Sequence, residues 1–174
     1  MPLVPLLRAS ALLLLALPAP AAASELFTAS GAWLGEGLLA TGPEAPLERG
    51  RCRVRAEPAP GGGDVAIKGS CAVAAGVSEL SLRFLRGEGG TVRAGFWTAA
   101  TGQTVQFAGT ESDGQIVMEA VGPITLEGRS YEARVEVTTP GDGSFSIRQM
   151  LRGEGDEAWR LVVDMQYRPA GGQG

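Results

Sequence analysis

The chain has 174 residues, a formal net charge of −4 and no histidine. Its acidic balance has the wrong sign for general nucleic-acid binding through phosphate neutralisation. The missing imidazole removes the usual general base and the commonest metal ligand near neutral pH, which excludes Ser-His-Asp and Cys-His catalytic schemes.

The first 23 residues carry Arg8, then the apolar run Ala11 to Leu17, then Pro18 to Ala23. That is the order of a secretory signal peptide, with Ala21 and Ala23 offering an A-x-A-like cleavage site before Ser24. The run is too short to span a bilayer, no cysteine follows closely enough to carry a lipid anchor, and no later apolar stretch reaches spanning length. The expectation is therefore a secreted, soluble, periplasmic protein without a transmembrane anchor. Its parts are a signal peptide (1–23), a short extension (24–30), one domain (31–168) and a flexible tail (169–174). About 150 residues suffice for a single core.

From Gly31 onward, apolar and polar residues alternate in short stretches separated by turn chemistry every 8 to 12 residues, the signature of an all-β meander. The alternation predicts strands near 32–40, 48–57, 64–73, 79–86, 91–100, 103–110, 115–121, 131–139, 144–152 and 159–168. In the last of these, Trp159, Leu161, Val163, Met165 and Tyr167 are expected on one face and Arg160, Asp164 and Gln166 on the other. Gly-rich turns such as Gly61-Gly62-Gly63, Asp113-Gly114 and Gly141-Asp142-Gly143 supply the positive φ that tight hairpins need. Eight to ten antiparallel strands in up-and-down order leave two long apolar edges unless the first pairs with the last, so a small closed barrel is expected, with a β-sandwich as the alternative.

Two cysteines in an exported chain read as one disulfide, Cys52 to Cys71, against the alternative of two buried thiols. Their midpoint falls between Gly61 and Gly62, so a hairpin turning there sets Cys52 opposite Cys71 with both sulfurs on the apolar face. The same register places Lys68 opposite Arg55, and a turn near Pro43-Glu44 sets Glu36 beside Arg51. A short repeat, Leu85-Arg86-Gly87-Glu88-Gly89 and Leu151-Arg152-Gly153-Glu154-Gly155, fits turn chemistry or the trace of a duplicated half-barrel.

No catalytic constellation, cofactor site or metal site is expected. Lys68, the only lysine, falls on the polar side of its strand, and Glu36, Glu119, Glu132, Glu136 and Asp164 mostly fall at outward positions. Arg49, Arg51, Arg53 and Arg55 share one side of a strand and, with Lys68, form a basic stripe on an acidic chain. Such a stripe suits an anionic envelope component, and ordinary cross-strand pairing explains it equally well. Trp33, Phe84, Phe96, Phe107, Val135, Phe145 and Met165 are candidates to line a ligand cavity. Small inward residues (Gly35, Gly37, Ala56, Gly69, Ala94, Gly109, Ala133) are expected to leave space beside them.

The opening Phe27 and Gly31-Ala32-Trp33-Leu34-Gly35-Glu36-Gly37, together with the closing Tyr167-Arg168, resembles the Gly-x-Trp opening of the calycin-like barrels, which include lipocalins and nitrobindin-like proteins. The resemblance implies a closed barrel binding a hydrophobic small molecule, with Trp33 closing one end and Arg168 packed over it. The haem of nitrobindin-like proteins is held by a histidine, which this sequence lacks. The functional expectation is a non-enzymatic periplasmic barrel taking a small apolar or amphipathic, lipid-like ligand. The alternative is a packed envelope interaction module that uses the arginine stripe.

Overall fold

The alternation noted above folds, in the computed structural model, which describes residues 25–171, into one closed antiparallel barrel of ten staves in meander order. The signal peptide expected over 1–23 and the end of the tail lie outside the described residues. The strands are β1 (Gly31–Ala40), β2 (Leu47–Pro58), β3 (Asp64–Val73), β4 (Gly76–Arg86), β5 (Thr91–Thr98), β6 (Thr104–Ser112), β7 (Gln115–Ala120), β8 (Ile124–Leu126), β9 (Arg129–Thr138), β10 (Phe145–Gly153) and β11 (Arg160–Pro169). β7 and β8 lie end to end along β9 and make one stave between them. The barrel closes where β11 returns to β1, with Gly35 opposite Tyr167 and Gly37 opposite Met165. Closure satisfies both edge strands and rules out the sandwich.

The hairpins follow from local chemistry. Asp113 and Gly114 both sit at positive φ, 50° and 75°, as a two-residue turn matched to the strand twist requires. In the β2–β3 ladder Cys52 stands opposite Cys71 and Arg55 opposite Lys68, and the cysteines form the disulfide. Glu36 stands opposite Arg51 in the β1–β2 ladder, their side chains 3.4 Å apart.

Even strands run one way and odd strands the other until the β7/β8 pair, which fixes what lies at each end. One end carries the 59–63, 86–91, 112–115 and 138–145 turns and is sealed. The stretch expected as an extension forms a single 3-10 turn, Glu25–Thr28, whose Leu26 and Phe27 are 0% and 1% exposed. Arg86 covers Phe27, its guanidinium 4.1 Å from the ring centre, and is held by Glu111. The cation over an aromatic ring at this end is thus Arg86, from β4; Arg168 is exposed, opposite Leu34. Trp33 packs instead against Phe145, ring centres 4.9 Å apart, and donates its indole N–H to the Ser30 carbonyl.

Two features depart from the sequence expectation, and a third places the short repeat. Val163 faces Gln149 while Leu161 faces Met150, so Val162 is an extra residue, a bulge in β11. The bulge inverts the alternation: Val163, Met165 and Tyr167 stay on the inner side, whereas Trp159 lies on the outer wall against Arg134 and Arg152, each 4.7 Å from its ring. Second, the inward glycines leave no space. A Cβ on Gly37, Gly69 or Gly109 would fall 2.0, 2.0 or 1.9 Å from a neighbouring strand's carbonyl oxygen, and Tyr167 and Leu39 already occupy the room beside Gly35 and Gly50. Third, the two copies of the short repeat lie at opposite ends of the barrel, Gly87 at the sealed end and Gly153 at the other. They stand five staves apart, an odd offset that reverses the strand direction.

Candidate functional site

The seven residues expected to line a cavity all lie in the packed core, none more than 8% exposed. Phe84, Phe96 and Phe107 form one run of rings with centres 5.4 and 4.8 Å apart, and Trp33, Phe145 and Tyr167 a second. Val135 and Met165 fill between them, both at 0%. The structure brings these residues together as a core filling the barrel's middle and its sealed end.

The opposite end is different. Half-buried apolar side chains packed against the core, Leu39, Cys71, Leu80, Val105, Leu126 and Val163, come from the ends of six strands around this one rim. Gln149 shares their inward side, flanked in the ladders by Val135 and Val163. Among the described residues its amide has no hydrogen-bond partner. A rim of apolar side chains with one polar group on the same side is the composition of a site for an amphipathic molecule. Alternation alone cannot distinguish these positions from core, because they differ only in how close they lie to the end of a strand.

One sector of the rim is bridged. The loop joining β1 to β2, residues 41–46, leans over β11, β10 and β9 and tucks Pro43 into the protein. Glu44 anchors it: one carboxylate oxygen accepts from Arg129 at 3.2 Å and from the Tyr131 hydroxyl at 3.3 Å, the other from Arg160 at 3.1 Å. Arg160 also donates to the Glu44 and Ala45 carbonyls. Loss of hydration is the main cause that holds the Tyr131 phenol above its ordinary pKa; Arg129 opposes this and Glu44 reinforces it. Beneath the loop lies a groove of 370 Å³ between Pro43, Tyr131, Leu151 and Arg160. A second groove, of 610 Å³, runs outside it between Pro123, Tyr131, Gly153 and Trp159. Sequence reading did not find this arrangement. Glu44, Arg129 and Arg160 are far apart in the chain, and only the meander's closure brings them together.

The predicted stripe lies elsewhere, on the outer wall. Arg49, Arg51, Arg53 and Arg55 are exposed along β2, with Lys68 beside Arg55. Arg51 pairs with Glu36. No cluster of three or more metal-binding side chains occurs among the described residues, and none of their helices is long and apolar enough to cross a membrane.

A scan against protein-family models finds no match for this chain, and a search of the curated proteins finds no relative. The closed antiparallel barrel is consistent with calycin-like architecture.

Proposed function

We propose that this chain is an exported, periplasmic binding protein of calycin-like type that takes a small apolar or amphipathic molecule, of fatty-acid or lysolipid character, at the open end of its barrel. The observation that carries this reading is the asymmetry of the two ends. Leu26 and Phe27 plug one, while Leu39, Cys71, Leu80 and Val105 remain partly uncovered at the other. Apolar side chains left at the lip of a sealed cup gain by covering one another's exposed area with a ligand, at about 25 cal/mol per Å². The rings below them form the floor of the site. The ligand therefore rests in the mouth, its polar group within reach of Gln149 and its apolar part over Leu80 and Val105. Export to the periplasm rests on the residue order of positions 1–23.

The test is fluorescence titration of the protein with a fatty-acid probe kept below its micelle concentration, followed by displacement with unlabelled lauric acid. Saturable one-to-one binding, weakened at least tenfold in Leu80→Asp with the fold intact by circular dichroism, is expected. Absence of saturable binding, or equal binding by Leu80→Asp, overturns the reading.

A further inference from the structure

Eight of the fourteen cationic side chains among the described residues are paired with a carboxylate, and five of the other six cluster. Arg83, Arg86, Arg129, Arg134, Arg148, Arg152 and Arg160 each have a carboxylate within 4 Å, as does Arg51. Among the described residues, Arg49, Arg53, Arg55, Lys68, Arg93 and Arg168 have none, and all of these except Arg93 share the outer wall of four adjacent strands, β11, β1, β2 and β3. The ladders fix their arrangement: Arg53, Leu34 and Arg168 stand directly across from one another on β2, β1 and β11. With neighbouring strands about 4.8 Å apart, the two arginines flank Leu34 at about 10 Å from each other. Leu34 is 48% exposed, and Leu38, beside Arg49 on the same face, 38%.

Unpaired cations alternating with exposed leucines on a net-acidic protein call for an anionic partner with an apolar layer beneath its charge. The wall is convex, and the two grooves described above lie at the barrel's mouth, away from these residues. A convex wall meets a fluid, deformable surface more completely than a rigid one. We infer that the wall formed by β11, β1, β2 and β3 docks on a bilayer containing anionic phospholipid, with the arginines on phosphates and Leu34 reaching the headgroup–acyl boundary. The barrel then lies on its side, with its mouth opening along the membrane. This docking surface stands independently of whether the mouth holds a ligand.

Co-sedimentation with vesicles tests it. The protein is expected to bind vesicles of phosphatidylcholine containing a third phosphatidylglycerol, to ignore pure phosphatidylcholine, and to be released in 1 M salt, where screening shortens to about 3 Å. Each basic residue at such a surface contributes about fivefold, so Arg53→Gln with Arg168→Gln should weaken binding about thirtyfold. Arg93→Gln, on the outer wall of β5 away from the patch, should leave binding unchanged. Failure to bind anionic vesicles, equal binding to neutral ones, retention of binding by the double variant, or an equal loss in Arg93→Gln would each overturn the inference.

Discussion

The Arg86 guanidinium lies 4.1 Å from the centre of the Phe27 ring and donates to Glu111 at 2.7 and 2.9 Å, so one ion pair holds an N-terminal aromatic side chain in the end of the barrel. Phe27 is 1% exposed. Phe27→Ala should cost about 3–5 kcal/mol, read from the shift of the urea midpoint, and Phe27→Leu less than about 1.5 kcal/mol. A loss below about 1 kcal/mol for the alanine variant would show that the plug is not seated.

Gly69 tests whether the barrel interior has room to spare. A methyl group there would stand 2.0 Å from the Arg53 carbonyl oxygen, so the β2–β3 ladder must open to admit it. Gly69→Ala should destabilise by about 1–3 kcal/mol or more in chemical denaturation. Stabilisation, the outcome for a glycine beside a void, would contradict the close approach of these strands.

Tyr167 makes stability sensitive to alkali. Burial pushes its phenol up to about 12 from an ordinary value of 10.0, so the folded state favours the neutral hydroxyl. That contribution is intact below pH 10 and is lost as pH rises through about 12, by up to about 2.7 kcal/mol. Tyr167→Phe should remove the slope between pH 10 and 12 in thermal melts. An unchanged slope would assign it to another group.

The disulfide joins β2 to β3 across 19 residues. Closing a loop of this length should stabilise by about 3 kcal/mol, so reduction, or Cys52→Ser, should lower the denaturation free energy by about 2–5 kcal/mol. Identical curves for oxidised and reduced protein would refute the claim.

The sequence reading reaches furthest where alternation and turn glycines agree. Ten of the strands, the closed meander and the Cys52–Cys71 register follow from period two and from the glycines midway between the cysteines. β8 escapes it, because three residues are too few for a period and Gly122-Pro123 interrupts the run. The turn of Trp159 onto the outer wall escapes it as well, since a one-residue bulge at Val162 leaves the alternation in the sequence unchanged. Inward glycines read as vacancies from composition alone, yet strand approach fills the same positions. At the open end, the apolar rim looks identical to core in the sequence. The Glu44 anchor depends on contacts between residues 85 and 116 positions apart.

Every ladder of the barrel except one joins strands that follow one another along the chain, β7 and β8 counted together; the exception is β1 with β11. Hairpins of this kind form in about 1–10 μs, whereas the closing ladder spans nearly the whole domain and carries the loop-closure entropy of that separation. A chain made from its N-terminus holds β1 with one side unsatisfied until β11 arrives, and Leu26 and Phe27 have no complete socket until β4 to β6 are in place. Closure is therefore the committing event in folding. A growing chain stopped before residue 160 is an open, curled sheet with two free edges, the state in which this protein is exposed to aggregation.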